Sequence, residues 1–282
     1  MPSSVTYPRL SPRPTPQRVN WKDSRAAGLV GAWPIMEQGG NVIHDIVHGV
    51  ECVPKSGSYQ WSNPALGTIG WGLELDSNDA NQAARTARKT PHLNFLGDMT
   101  MSASFYLQSI AIANGHIGSH GGGTENEEDN FTHFFRITTG GDLLYLWEYS
   151  TGTNESVTFS SVFAATTLYT IVVTRREVDK ACNLWVNGTH HSQQTYSNNP
   201  TGGLNGDFAV VGLSSGSGTA PLDGTLMDYK LWNRALSGRE AVAECVNPYS
   251  LYAPRVRRRV GKAGAPGGNP WYYRQQQAIG AV

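Results

Sequence analysis

The run Glu74-Leu75-Asp76-Ser77-Asn78-Asp79 holds three carboxylates within six residues. Two carboxylates about 5–5.5 Å apart can cleave a glycosidic bond with retention, one attacking the sugar while the other donates a proton and later takes one back. Glu74 and Asp79 are an odd number of positions apart, so in an unbroken strand they face opposite sides of a sheet. A bulge would restore a shared face, but a short Asp stands where a second long carboxylate would serve better. Glycoside hydrolysis is therefore a second alternative, with Glu74→Gln as its test, and the main expectation is a protein that is not an enzyme.

Calcium is the next chemistry to consider. Hard cations take oxygen ligands, and Thr124–Asn130 is an oxygen-rich stretch carrying the carboxylates of Glu125, Glu127 and Asp129. Asp76 and Asp79, with Asn78 between them, form a second weak group. Neither has the fixed ligand spacing of a helix–loop–helix calcium site, so solvated acidic loops and no cofactor are expected. The pairs His44/His48 and His116/His120 share an H-x₃-H spacing that brings two imidazoles to one metal only in a helix. The glycines after His120 disfavour a helix. In a strand such residues lie roughly 13 Å apart, too far for one ion. Loop histidines are the expectation. Cys52, Cys182 and Cys245 are too widely spaced for a disulfide framework or a zinc pattern, and they read as buried free thiols. Trp61, Trp71 and Trp147 are candidates for stacking on sugar rings, with core packing the default for each.

The elements that must position these groups are short. The 282 residues include 32 Gly and 15 Pro, so turns are frequent. Runs with strand character are Phe131–Ile137, Leu143–Tyr149, Ser156–Phe163, Leu168–Arg175 and Phe208–Leu213. In Thr225–Trp232, Met227, Tyr229 and Leu231 alternate with Leu226, Asp228 and Lys230, which predicts a strand with one buried face. Ser237 precedes Glu240 by three, the spacing of a capping box. This predicts a short helix over Gly238–Val246 that stops before Asn247-Pro248. The aromatics, 8 Trp, 12 Tyr and 8 Phe, suffice for a two-sheet core.

Four ordered stretches resemble laminin-G-like domains of the concanavalin A-like lectin and glucanase superfamily. They are Gly28–Pro34, Met99–Leu107, Cys182–Gly188 and the closing Leu222–Pro254. The resemblance implies an all-β, two-sheet antiparallel jelly-roll sandwich over residues 28–253, with one short C-terminal helix. It also sets Glu74–Asp79 beside the acid-bearing strand of laminarinase-type glucanases, and equally beside a purely structural laminin-G strand. The fold hosts enzymes, lectins and inert modules alike, so it does not decide function.

Charge is unevenly placed although it sums to zero. Residues 1–27 hold Arg9, Arg13, Arg18, Lys22 and Arg25 against Asp23, a net of +4. Residues 254–282 hold Arg255, Arg257, Arg258, Arg259, Lys262 and Arg274 with no acid, a net of +6, which leaves −10 for residues 28–253. Five prolines favour an extended first arm. The second arm is glycine-rich and carries Trp271, Tyr272 and Tyr273. Tyr7, Arg9, Arg13 and Arg18, the four arginines 255 and 257–259, and these three aromatics are the expected partner-binding residues. Nucleic-acid binding is disfavoured, because the acidic centre opposes wrapping. No run approaches the roughly 20 apolar residues needed to span a bilayer, and the opening residues do not resemble a secretory signal.

Asn20-Trp21…Gly28-Leu29 and Asn247-Pro248-Tyr249-Ser250-Leu251-Tyr252-Ala253-Pro254 are similar to the entry and exit of laminin-G-like virion proteins of tailed bacteriophages. That resemblance implies a virion structural protein made in the host cytoplasm. Its form would be a capsid decoration or cement subunit whose arms staple it to other virion proteins and to copies of itself. A tail-fibre or receptor-binding protein that holds a surface glycan is the alternative.

Overall fold

The computed structural model describes residues 18–35, 39–54, 60–62, 72–76, 84–86, 90–93, 95–110, 115–121, 131–150, 153–201, 209–211 and 222–253. Two antiparallel sheets face each other, as the resemblance implies. Numbered in chain order, the first runs β12 (Thr153–Phe159), β11 (Leu143–Ser150), β10 (Phe131–Ile137), β9 (Gly115–Gly121), β16 (Ala209–Val211), β7 (Ala84–Thr86), β4 (Glu51–Pro54) and β3 (Ile43–His44). The second runs β15 (Thr189–Thr195), β14 (Ala181–Val186), β13 (Thr167–Arg176), β8 (Met99–Leu107), β17 (Gly224–Trp232), β6 (Gly72–Leu75) and β5 (Gln60–Ser62). A further strand, β2 (Leu29–Pro34), pairs with the second half of β17. Among the described residues, no helix is long and apolar enough to cross a membrane.

The main core lies between the sheets. Phe135, Tyr145, Trp147 and Phe159 come from the first sheet and Met101, Phe105, Ile171, Leu184 and Tyr229 from the second. Gly118 is needed where it stands, because a Cβ there would sit 2.6 Å from the Tyr229 ring. At the rim, the buried Arg175 guanidinium donates to the Tyr145 hydroxyl at 2.7 Å and to the carbonyls of Gly97 and Phe95. Its charge is thereby hydrogen-bonded rather than stranded. The β14–β15 hairpin turns on Asn187-Gly188, both at positive φ (49° and 86°), as a two-residue type I′ turn requires.

A third layer covers the outer face of the second sheet. It contains α1 (Gly238–Val246), the 3₁₀ turns Ser24–Ala26 and Pro248–Leu251, and a ribbon of β1 (Arg18–Val19) with β18 (Tyr252–Ala253). Helix α1 has the predicted capping box: the Ser237 side chain accepts from the Glu240 N–H, and the Glu240 carboxylate accepts from the Ser237 N–H. Val19, Ala26, Leu29 and Tyr252 pack with Val172, Trp185, Trp232 and Ala241 in a second apolar cluster.

Several expectations are corrected. Residues 18–27, placed by sequence in an N-terminal arm, include β1 and the turn after it, which supply Val19 and Ala26 to the outer cluster. In β17 the pairing with β8 slips between Leu226 and Asp228, so Met227 is the extra residue of a bulge. Leu226, not Met227, joins Tyr229 and Leu231 in the main core. The opposite, polar face of β17 is buried as well, because the third layer lies on it. His116 and His120 stand in β9, not in a loop, and both are buried. The register shift beside them puts His116 across from Arg136 and His120 across from His133. The strand expected over Ser156–Phe163 instead spans Thr153–Phe159. All three cysteines are buried, and none forms a disulfide.

Candidate functional site

A groove of about 440 Å³ opens on the outer face of the second sheet, beside the start of α1. Strand alternation sends Thr174 and Arg176 of β13, Asn183 and Trp185 of β14 and Gln193 of β15 to this face. The ladder sets Thr174 opposite Asn183 and Asn183 opposite Gln193. Three polar side chains therefore form a row across three strands, with the indole of Trp185 beside them. The fourth wall is the turn Arg234–Gly238 leading into the helix.

That wall is held from several directions. The Thr100 hydroxyl donates to the Arg234 carbonyl at 2.7 Å and accepts from the Leu236 N–H at 2.9 Å. The Arg234 guanidinium grips Glu240 with two bonds of 2.7 and 3.0 Å and also donates to the Ala27 carbonyl. Its hydrogen bonds to Glu240 hold that carboxyl at about 2 despite partial burial. Asn183 Oδ1 lies 3.2 Å from His190 Nε2, whose ring meets Trp185 edge-on. Thr174 and Trp185 are themselves buried and floor the groove, so the half-buried Asn183 and the exposed Gln193 present its amides to solvent, and amides on a stiff sheet can orient a polyhydroxylated ligand.

Beneath α1 lies a buried charge network. Lys230 of β17 bonds Asp228 on the same strand and Glu244 of α1, the latter at 2.8 Å, and all three side chains are 0% exposed. Arg25 bonds the other Glu244 oxygen at 3.1 Å, Asp23 at 2.7 Å and the Ser250 hydroxyl at 2.6 Å. The Tyr252 hydroxyl donates to Asp228 at 2.5 Å. Burial pushes Asp228 up to about 6 against the pull of Lys230. Burial opposes the Lys230 charge, yet Asp228 and Glu244 hold its pKa above the ordinary value. The network ties the chain before β2 and the chain after α1 to one point of the sheet. Arg25 and Asp23 therefore belong to the body, not to a free arm.

Of the site residues expected from sequence, Arg18 is exposed on the ribbon. Tyr7, Arg9, Arg13, Arg255, Arg257, Arg258, Arg259, Trp271, Tyr272 and Tyr273 lie outside the described residues, as do Asp79, Glu125, Glu127, Asp129 and Trp71. Asp76 is exposed just beyond β6, and no metal-binding cluster of His, Cys, Asp or Glu occurs among the described residues. Glu74 is exposed on the outer face of the second sheet, and its cross-strand neighbours are Gln60 and Thr225 rather than a second carboxylate. Trp147 is buried in the core, and Trp61 is half-buried and donates to the Gly40 carbonyl. The groove residues were not singled out by sequence. The only signals were the Asn-Gly turn that registers β14 with β15 and the capping box that fixes Glu240.

Residues 78–241, more than half of the chain, match the family model of the concanavalin A-like lectin/glucanases superfamily, laminin-G type. The chain belongs to this superfamily. Solved structures agree on the fold. The binding domain of Paraclostridial mosquitocidal protein 1 superposes with a TM-score of 0.60 at 16% identity, covering 80% of this chain and 53% of that one. Botulinum neurotoxin type C, described as depending on two ganglioside molecules for cell entry, gives 0.56 at 12% identity, covering 80% and 51%. A Trypanosoma rangeli sialidase in complex with a difluorinated nonulosonic acid gives 0.56 at 15% identity, covering 80% and 33%. This superfamily member thus spans about half the length of the first two and a third of the last. No curated protein sequence matches the chain significantly.

Proposed function

We propose that this chain is a non-catalytic glycan-binding module that acts as a receptor-binding component. The observation that carries the reading is the groove beside α1, where Thr174, Asn183 and Gln193 line up next to Trp185 on a rigid sheet. Membership of a lectin superfamily and the fold shared with toxin binding domains support it. A glycan array probed with the full chain tests it, followed by titration of the best ligand against Asn183→Ala/Gln193→Ala. Hydrogen bonds of about 0.5–1.5 kcal/mol each make a loss of about tenfold in affinity the expected result. An array without signal, or unchanged affinity in the double variant, overturns the assignment to this groove. The same preparation should show no glucanase activity; activity abolished by Glu74→Gln would establish the hydrolase instead.

A second reading is favoured by the charge of residues 1–17 and 254–282, +8 with no acid, next in the chain to the strands of the β1–β18 ribbon. In this reading the module is a bacteriophage virion subunit, a capsid decoration protein held on acidic neighbours by residues 1–17 and 254–282. Removing residues 255–282 should then abolish incorporation into particles while the body keeps its stability. Normal incorporation of that truncation would sink the reading.

A further inference from the structure

Charge in the groove beside α1 is unequally committed. The charged side chains that line it are Arg176 of β13, Arg234 of the entry turn and Glu240 of α1. Arg234 and Glu240 satisfy each other. The guanidinium donates twice to the carboxylate, at 2.7 and 3.0 Å, and its Nε donates to the Ala27 carbonyl. Glu240 also accepts from the N–H and the hydroxyl of Ser237. The two charges cancel and both groups are engaged, so this pair forms a wall.

Arg176 differs. Its side chain is 51% exposed, and its ionic partner is the equally solvated Asp179, three positions on and outside the groove lining. Nε and Nη2 hold the two oxygens of that carboxylate, while Nη1 carries no bond among the described residues. An ion pair held in water contributes little, so another carboxylate can replace Asp179 at small cost. A guanidinium fork matches a planar carboxylate with two parallel bonds. Position adds to charge. Thr174 and Arg176 share the outer face of β13 and lie about 6.6 Å apart along it. Asn183 and Gln193 stand in the Thr174 row. A sugar ring bound by those two amides therefore brings a carboxylate on its edge within reach of the long Arg176 side chain.

We propose that the groove selects a glycan whose bound sugar carries a carboxylate, and that Arg176 is the residue that reads it. The inference rests on the glycan-binding reading of this groove and adds the charge class of the ligand. A neutral sugar uses the amides alone, whereas an acidic one adds charge-assisted hydrogen bonds. The acid should therefore bind about tenfold more tightly, and the preference should fade as salt rises.

The test is an NMR titration of the full chain that follows the side-chain amides of Asn183 and Gln193. The probes are methyl glucuronide, the methyl glycoside of N-acetylneuraminic acid and the neutral methyl glucoside, at about 50 mM and about 500 mM salt. The two acids carry the same group on different sugars, and their comparison shows which source fits. Arg176→Gln should lower the preferred acid to the affinity of the glucoside, with an unchanged melting temperature because the side chain is exposed. Arg176→Lys should keep part of the preference. Equal affinity for acidic and neutral sugars, no response to either acid, or a preference that survives Arg176→Gln overturns the proposal. If all three sugars bind equally and Asn183→Ala/Gln193→Ala abolishes their binding, selection by charge fails and the groove reading stands. An acid that binds while both amides stay unperturbed refutes the groove reading, and this proposal with it.

Discussion

Replacing Lys230 with Met tests whether the buried charge network is what fastens the third layer. Lys230 is 0% exposed between Asp228 and Glu244, which are equally buried. The substitution keeps most of the volume and removes the cation from between two carboxylates. Arg25 still bonds the far oxygen of Glu244, so Asp228 loses most, keeping the Tyr252 hydroxyl as its side-chain partner among the described residues. Removing one partner of a buried ion pair costs about 3–5 kcal/mol. In a chain of this size that lowers the melting temperature by about 10 °C, with a matching fall in the urea midpoint. The pH dependence has a definite sign. Asp228, already raised to about 6 by burial, rises further without Lys230. The folded variant then takes up a proton that the unfolded chain, with an aspartate near 3.8, does not bind in this range. Stability therefore increases as pH falls, and the deficit of Lys230→Met shrinks between about pH 7 and pH 5. Asp228→Asn/Lys230→Met should recover part of the loss, because an amide oxygen still accepts from Tyr252. A deficit below about 1 kcal/mol, or one that grows in acid, would refute the reasoning.

Other outcomes can be stated more briefly. His116 is buried, neither ring nitrogen has a hydrogen-bond partner among the described residues, and burial together with the nearby Arg136 charge lowers its pKa to about 3. The unfolded chain binds a proton below about 6.5 that the folded form refuses, so stability should drop by about 2 kcal/mol between pH 6.5 and pH 4.5. His116→Phe should flatten that slope, and an NMR titration of His116 near 6.5 would contradict the account. Ser237→Ala removes the helix cap and should cost about 1 kcal/mol in urea unfolding. Gly118→Val drives a side chain onto Tyr229, whose ring would be 2.6 Å from the new Cβ, and should cost about 1–3 kcal/mol or more; unchanged stability would show that the sheets yield.

Much of the fold was legible because it is written in neighbouring residues. Alternation over two positions marked the strands, Ser237 and Glu240 capped α1 at a separation of three, and Asn247-Pro248 ended it. Asn187-Gly188, though not read as a turn from sequence, is local in the same way, since both residues tolerate the positive φ of its hairpin. None of these needs a distant partner, so each can be read from a short window of sequence. The main misreadings, and the candidate sites, depend on segments far apart in the chain. Asp228 and Lys230 look like a solvent face by alternation. They are buried because Glu244, fourteen positions from Lys230, Tyr252, twenty-four from Asp228, and the N-terminal segment close over them. The bulge at Met227 and the pairing of His116 with Arg136 and of His120 with His133 follow from ladder register, which a single strand does not encode. The groove needs three strands and the helix entry brought together, and the β1–β18 ribbon needs Arg18 beside Ala253. The sequence by itself determined the elements and the sign of the charge on each segment. Only the tertiary structure decided which polar groups lie in water, because burial is set by what packs on top of a residue and not by its neighbours along the chain.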